Sequence, residues 1–325
     1  MTRVTAPSRL HFGLFHVPTG GPRPGDAAAV PERAFGGVGL MIDQPGVVVS
    51  ARPAGAWQFE GALASRAQVY AHRFAAASGP AARPMQVLVE RCPPEHTGLG
   101  VGTQLGLAVA KALAVEAGEP DLSAPELAAR VGRGERSAVG VHGFDRGGLV
   151  VEPGKASGDR LSPLLTRVLL PDEWRVAVFA PTVRERWHGS REQQVFAKAG
   201  ETPDHPGLTD ALCRVALLGL LPAAAAGDLA GFGEAVHEFN RRAGEPFAAA
   251  QGGVYAGPEI AALITALRGL GVKGVGQSSW GPAVFAIVGS ADEAAWLVQH
   301  LRPTARGWVA KPSDGHRVEH EREPT

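Results

Sequence analysis

Residues 93–118, "PPEHTGLGVGTQLGLAVAKALAVEAG", constrain the fold more than any other stretch. Two prolines open it, Gly98, Gly100 and Gly102 fall at every second position, and an apolar-periodic run of helix-forming residues follows. Glycine permits positive φ and close backbone approach, and the first turn of a helix leaves N–H groups unpaired. These amides and the helix dipole favour an anion such as phosphate or pyrophosphate. The stretch predicts an anion-binding turn before a helix; a turn that only reverses the chain stays an alternative.

The glycine pattern matches neither of two common phosphate-binding motifs. It lacks the Gly-Lys-Ser/Thr ending of the P-loop, and its spacing differs from G-x-G-x-x-G. Two other segments carry suggestive chemistry. In "APSRLHFGL", Arg9 and His11 are two apart on a predicted strand and share one face. In "GVGQSSWGPAVFAIV", Gln277, Ser278 and Ser279 form a polar, glycine-flanked turn that is costly to bury without partners.

The length of 325 residues predicts two domains, each large enough for a core, and we place them at 1–180 and 181–325. The first part is rich in strand-like segments, and the second is richer in helical spacing. The order "GVKGVGQSSWGPAVFAIV", "ADEAAWLVQHL", "RGWVAKP" predicts a β-turn-β-α-β unit. Breakers at 19–34 predict a mobile loop, and the charged tail after residue 312 is expected to fray.

Two helix starts are visible in the sequence. Ser123 with Glu126 has capping-box spacing, and Asp228 precedes a helical segment as a cap.

Charge and composition limit the classes of partner that the protein is expected to bind. The 32 basic and 32 acidic residues cancel, so the basic footprint of a nucleic-acid binder is missing and small ligands are favoured. The sequence shows neither a signal-peptide pattern nor about 18 consecutive apolar residues, which predicts a cytoplasmic protein with no membrane partner. The two cysteines predict buried free thiols. The apolar "LCRVALLGLLPA" suits core packing or a homodimer interface.

Together these segments resemble the GHMP superfamily of small-molecule kinases, with "PPEHTGLGVGTQ" as the second motif and "GVGQSSWGP" as the third. The chain lacks the Ser-Ser that those kinases carry after Gly-Leu-Gly. With "PSRLHFGL" and "GRGERSAVGVHGFDRGGLVVE", it resembles the β-ribofuranosylaminobenzene 5′-phosphate synthases, a GHMP-fold family of non-kinases, over residues 3–310. The resemblance implies an α+β, two-domain GHMP-kinase-like fold with an N-terminal α/β domain and a C-terminal ferredoxin-like α+β domain.

The resemblance also implies an activity. Phosphoribosyl pyrophosphate would condense with 4-aminobenzoate or 4-hydroxybenzoate and release CO2 and pyrophosphate, toward tetrahydromethanopterin, with Mg2+ accompanying the pyrophosphate. Two alternatives stay open at this stage. One is an ATP-dependent GHMP kinase in which Asp145 is the base, and the other is a non-catalytic sensor of a phosphate ligand on the same fold.

The candidate site residues follow from these motifs and from the chemistry they must perform. Arginine recognises carboxylates and phosphates in a bidentate manner, histidine titrates near neutral pH, and Trp280 is either a stacking partner of an aryl ring or a core residue. Further candidate arginines are Arg136, Arg184 and Arg186. We expect catalytic roles for Arg9, His11, His96 and Asp145; phosphate or pyrophosphate contacts from Gly98, Gly100, Val101, Gly102, Thr103 and Gln104; substrate contacts from Arg146, Gln277, Ser278, Ser279 and Trp280; and orientation of the metal by Glu95.

Overall fold

The computed structural model describes residues 1–16, 33–79, 83–181 and 207–321. Most of the predicted loop at 19–34, together with Arg184 and Arg186, lies outside the described residues.

In the described parts of the chain the first sheet has seven strands. They are β1 (Thr2–His16), β2 (Phe35–Pro53), β3 (Gln58–Gly61), β4 (Met85–Arg91), β5 (Leu149–Glu152), β6 (Thr166–Val168) and β11 (Arg317–His320). The main order is β11-β1-β2-β4-β3, and β5 and β6 extend the sheet from the other half of β2. β2 can serve two neighbours because it is 19 residues long: residues 48–53 pair with β4 and residues 37–40 pair with β5.

Among the described residues, four α-helices accompany this sheet. They are α1 (Ala64–Ser78), α2 (Val101–Glu116), α3 (Ala124–Val131) and α4 (Val139–Arg146). The predicted helix after the glycine turn is confirmed as α2, which packs on β1 and β2. Leu105 and Leu107 in α2 are fully buried, and burial of such a side chain contributes about 1.5–3 kcal/mol. The packed body of α2 thus fixes where its N-terminus points.

Both predicted caps are confirmed. Glu126 accepts a hydrogen bond from the Ser123 backbone N–H at 2.8 Å, which completes the capping box of α3. The Asp228 side chain accepts from the Gly231 N–H at 3.0 Å.

The second sheet has four strands, β7 (Arg175–Pro181), β8 (Gly274–Gln277), β9 (Val284–Val288) and β10 (Ala305–Ala310), in the order β10-β7-β9-β8. Neighbouring strands are antiparallel, and in chain order this is the 4-1-3-2 arrangement of a ferredoxin-like sheet. Its main helices are α5 (Leu208–Val215), α6 (Leu221–Ala226), α7 (Leu229–Ala243), α8 (Ala248–Gln251), α9 (Pro258–Gly269) and α10 (Ala291–His300). The predicted ferredoxin-like fold and the β-turn-β-α-β unit are both confirmed.

Of the buried clusters among the described residues, one is shared by the two sheets, and the last strand of the chain returns to the first sheet. Leu10 and Phe12 of β1 lie in the same buried cluster as Phe232 of α7 and Phe285 of β9. β7 begins shortly before the predicted boundary at residue 180, and β11 returns to pair with β1. The expectation that the tail frays is therefore wrong for residues 317–320: backbone pairing to the edge of the first sheet anchors them although all four residues are exposed.

The apolar run Leu208–Ala226 comprises α5, a π-helical turn (Ala216–Leu220) and α6. Within the described part of the chain it alone is long and apolar enough to cross a membrane by length and composition, and 22% of its window is buried. A single such helix is weak grounds for a membrane protein. Leu212 and Leu220 pack into the core, whereas Leu217 and Leu218 are 64% and 62% exposed. Core packing thus accounts for one face, and a homodimer through the other stays a prediction.

The expectation of buried thiols is wrong for Cys213, which is exposed, whereas Cys92 is half-buried.

Candidate active site

A cleft of about 470 Å³ opens where β1, the N-terminus of α2, the 132–137 loop and the C-terminal half of the chain meet. This volume is within the ordinary range for small-molecule sites. Its lining combines cationic and polar side chains with several aromatic residues. The residues that line it include Arg9, His11, Phe12, Arg66, His96, Thr103, Arg133, Glu135, Arg136, Ser137, Asn240, Phe247, Gln251, Tyr255, Gln277, Ser279 and Trp280.

The cationic side of the cleft lies at the N-terminus of α2. Gly100, the residue before the helix, adopts the left-handed conformation with φ 71°, and its carbonyl accepts the N–H groups of Thr103 and Gln104 at 3.0 Å. A Cβ placed on Gly100 would lie 3.3 Å from Nε of Arg9, so this guanidinium lies against the turn. A Cβ on Gly102 would lie 2.8 Å from Nη2 of Arg66 and 3.5 Å from Nη2 of Arg133.

These three side chains, Arg9, Arg66 and Arg133, form what we call the arginine cluster. Arg66 is ion-paired with Glu95. Arg133 has no carboxylate partner within the described residues; its Nη2 donates to Thr103 Oγ1 at 3.3 Å, and its buried Nε has no hydrogen-bond acceptor there. A guanidinium stays charged at any physiological pH. Arg133 therefore brings an uncompensated charge and a spare donor to the positive end of a helix, which is the arrangement that an anion requires.

His11 lies on the same strand face as Arg9 and is 5% exposed. Burial, and secondarily the charge of Arg9, hold its pKa well below the usual 6.5. Its Nε2 is 3.2 Å from Ser137 Oγ, and that hydroxyl donates to Oε1 of the fully buried Glu152 at 2.6 Å. The imidazole is thus neutral and connected to a buried carboxyl group.

The depressed pKa of His11 predicts a pH-dependent stability. Between that pKa and about pH 6.5 the unfolded chain binds a proton at this residue and the folded protein does not, so stability falls as the pH drops through this range. We expect the free energy of unfolding to fall more steeply from about pH 7.5 to 5.5 in the wild type than in His11→Gln, by at most about 1.4 kcal/mol per pH unit. Urea titrations at a series of pH values measure this difference, and parallel curves would contradict the prediction.

The other side of the cleft is aromatic. The rings of Trp280 and Phe247 meet edge to face with centroids 4.5 Å apart. Tyr255 also lines the cleft; burial raises its pKa to about 12, and its hydroxyl has no hydrogen-bond partner among the described residues. Asn240 Nδ2 donates to the carbonyls of Phe12 at 2.6 Å and Gln277 at 2.8 Å, which ties β1 to the β8–β9 turn. These two bonds hold β1 next to the end of β8, from which the turn that carries Trp280 begins.

Comparison with known proteins assigns the chain to a protein family. The model of the GHMP kinases C-terminal domain matches residues 220–302. The β-ribofuranosylphenol 5′-phosphate synthase of Methanothermobacter thermautotrophicus is 28% identical over 305 residues, 87% of this chain and 88% of that protein. The synthase of the same name from Archaeoglobus fulgidus is 30% identical over 306 residues, 89% of this chain and 88% of that protein. The chain belongs to this synthase family.

The protein has the GHMP kinase fold. The homoserine kinase of Cytophaga hutchinsonii superposes with a TM-score of 0.68 at 16% identity, over 98% of this chain and 97% of that one. At this identity the likeness shows the fold alone, and it confirms the fold class implied by the sequence motifs. As a member of the synthase family the protein is an enzyme, a transferase that acts on small molecules.

Eight of the predicted candidate residues meet at the cleft. They are Arg9, His11, His96, Thr103, Arg136, Gln277, Ser279 and Trp280. Three other predicted residues are buried behind the residues that line the cleft. Ser278 is fully buried; its Oγ accepts from the His11 N–H at 3.0 Å and donates to the Gly98 carbonyl at 2.7 Å. Gln104, also fully buried, donates to the Gly140 carbonyl at 2.7 Å, and Val101 is a core residue.

Two predicted residues lie elsewhere. Asp145 Oδ2 accepts from the Ala124 N–H at 2.8 Å, and its Oδ1 is 3.9 Å from Nδ1 of His316. It therefore stabilises the start of α3, and it does not line the cleft. Arg146 is exposed in the last turn of α4, also outside the cleft lining. The sequence placed both near the motif but could not show that α4 turns this end away from the site.

Glu95, which is predicted to orient the metal, is ion-paired with Arg66, and its role toward a metal stays a prediction. Among the described residues no group of three or more histidine, cysteine or acidic side chains is placed to hold a metal ion. The carboxylate on the described cleft lining is Glu135, which is exposed. These residues do not form a magnesium site of their own, and we derive no catalytic step through a metal.

Sequence reasoning missed three residues at the centre of the site, Arg66, Arg133 and Ser137. A signal for Arg133 existed: it stands between Gly132 and Gly134, which have φ values of 68° and 88°, so a constrained loop presents it. Arg66 comes from α1 and Ser137 from the loop before α4, and neither carries a motif of its own.

Proposed function

We propose that the protein joins phosphoribosyl pyrophosphate to 4-hydroxybenzoate, with release of CO2 and pyrophosphate. The observation that carries this proposal is the meeting of the arginine cluster and the Trp280–Phe247 aromatic pair in one cleft. The first suits a polyphosphate and the second an aryl ring. The name of the relatives specifies a phenol product, which favours 4-hydroxybenzoate as acceptor, and 4-aminobenzoate is the alternative.

In this proposal the cationic side holds the leaving group. The N-terminal turn of α2, with Arg9, Arg66 and Arg133 against it, stabilises the charge that develops on pyrophosphate as the anomeric C–O bond breaks. Thr103 and Arg133 lie at the same turn and are joined by a 3.3 Å hydrogen bond, so the donors are positioned before the substrate arrives. A preorganised donor costs no rearrangement during the reaction.

The aromatic side orients the nucleophile. With the benzoate ring held near Trp280, the ring carbon that bears the carboxylate attacks the anomeric carbon. A C–C bond forms, and the C–O bond electrons leave on pyrophosphate. The carboxylate carbon then departs as CO2, and the electrons of its bond return to the ring, so no oxidant or reductant is needed.

A kinase reaction is less well supported. In that hypothesis Asp145 would accept the proton of the substrate hydroxyl, but the Asp145 carboxylate is bonded to the start of α3 and does not line the cleft. The predicted Mg2+ would enter with the pyrophosphate, since this ion commonly binds substrate phosphates with few protein ligands. The tetrahydromethanopterin pathway and the cytoplasmic location stay predictions.

Product analysis tests the proposal. We expect the purified protein to release pyrophosphate from phosphoribosyl pyrophosphate only when an aryl acid is present, with one CO2 and one ribosyl phenol phosphate per pyrophosphate. Formation of ADP from ATP with a small alcohol would support the kinase instead. Phosphoribosyl pyrophosphate binding without any turnover, over a panel of para-substituted benzoates, would support a sensor.

A further inference from the structure

A hydrogen-bonded chain runs from a buried carboxyl group to the cleft. Oε1 of Glu152, which is 0% exposed, accepts both the Ser137 hydroxyl at 2.6 Å and the Ala138 N–H at 2.7 Å. The same Ser137 Oγ lies 3.2 Å from Nε2 of His11 and accepts from the Val139 N–H at 3.3 Å. The donor and the acceptor in each of these hydrogen bonds follow from the chemistry of the groups.

A serine hydroxyl has one proton and two lone pairs. An ionised carboxylate only accepts hydrogen bonds. With Glu152 in that form, the short bond takes the proton of Ser137, and the Ser137 oxygen can only accept from its other two neighbours. One of these is the Val139 N–H, and the other is Nε2 of His11. Nε2 must therefore carry a proton.

The second ring nitrogen is then an acceptor. A neutral imidazole carries one proton, so a proton on Nε2 leaves the lone pair on Nδ1. Burial and the neighbouring Arg9 favour the neutral ring by lowering the His11 pKa. Within the described residues Nδ1 has no hydrogen-bond partner, and His11 lines the cleft.

We propose that Ser137 and Glu152 are positioning residues that fix His11 in the Nε2-protonated tautomer, so that Nδ1 accepts a hydrogen bond from a substrate hydroxyl or amino group. This inference rests on the proposed function for the identity of the substrate. Two donors meet the description: the para hydroxyl or amino group of the aryl acid, and a ribose hydroxyl of phosphoribosyl pyrophosphate. A hydrogen bond from the para group increases electron density at the opposite ring carbon, which is the carbon that attacks.

The tautomer is measured directly by nitrogen NMR of protein with 15N-labelled histidine, in which the His11 signals are assigned by their loss in His11→Gln. We expect a protonated Nε2 and an unprotonated Nδ1 in the wild type. Ser137→Ala removes the acceptor and should give a mixture of tautomers, and Ser137→Thr, which restores a hydroxyl, should recover the wild-type pattern. Ser123→Ala, a serine variant at the cap of α3, serves as the matched control. A wild-type ring protonated on Nδ1 overturns the proposal whether or not the protein is a synthase.

The two donors are separated by titration of the labelled protein with single compounds. A shift of Nδ1 with 4-hydroxybenzoate but not with 4-methoxybenzoate assigns the bond to the para group, and a shift with phosphoribosyl pyrophosphate alone assigns it to the ribose. A Nδ1 signal that stays unchanged with saturating amounts of both compounds together overturns the acceptor role. In the synthase assay we expect Ser137→Ala to lower kcat by about tenfold, the effect of one hydrogen bond, with KM changed less. An equal loss in Ser137→Thr would contradict the role of the hydroxyl.

Discussion

Replacement of Arg133 with alanine is expected to lower kcat/KM for phosphoribosyl pyrophosphate by about 10²–10³-fold. The physical reason is the loss of a charged donor aimed at the leaving group, which typically costs about 2.7–4 kcal/mol in the transition state. The folded protein should be affected much less. Arg133 is outside the core, has no ion-pair partner among the described residues, and keeps a buried Nε without an acceptor, so its removal is expected to change the free energy of unfolding by less than about 1 kcal/mol.

Two further variants make this result specific. Arg133→Lys keeps the charge but loses the planar fork, so we expect it to recover only part of the activity. Arg130→Ala is the matched control, because Arg130 is bonded to Glu119 at 2.6 Å and 2.9 Å and does not line the cleft. Steady-state kinetics with each substrate varied in turn measures these effects. An unchanged kcat/KM in Arg133→Ala would remove the residue from the site.

Replacement of Gly102 with alanine is expected to raise KM for phosphoribosyl pyrophosphate by about 10- to 100-fold while leaving the fold intact. The added Cβ would lie 2.8 Å from Nη2 of Arg66, so this guanidinium must move away from the N-terminus of α2, whereas Nη2 of Arg133, at 3.5 Å, would be in ordinary contact with it. A displacement of about 1 Å at a positioned group can cost 10²-fold. Alanine has the higher helix propensity, so the stability should be unchanged or higher by up to about 1 kcal/mol.

Gly269→Ala is the control for this variant. Gly269 also lies in a helix, at the end of α9, and a Cβ there meets no atom within 4 Å. Gly102→Val should weaken substrate binding further. Thermal denaturation and substrate kinetics of the three proteins separate the two roles of the turn: if Gly102→Ala unfolds the protein instead of weakening phosphoribosyl pyrophosphate binding, the turn is structural and the proposed anion site is wrong.

Local rules made much of the fold predictable. The helix after Gly100, the caps at Ser123 and Asp228, and the β-turn-β-α-β unit all follow from propensity, spacing and capping within a few neighbouring residues. The tail was mispredicted because β11 is stabilised by pairing with β1, over 300 residues away in the chain, and no nearby residue carries that information.

The sequence by itself determined the fold class, the glycine turn before α2 and the presence of Arg9 and His11 on one strand face. These features depend on local backbone geometry and on motifs whose residues are contiguous in the sequence. The tertiary structure alone decided that Arg66 and Arg133 join Arg9, that Ser137 links His11 to Glu152, and that Asp145 lies outside the cleft. Those relations join side chains from separate elements, and their distances are set by how the helices and sheets pack.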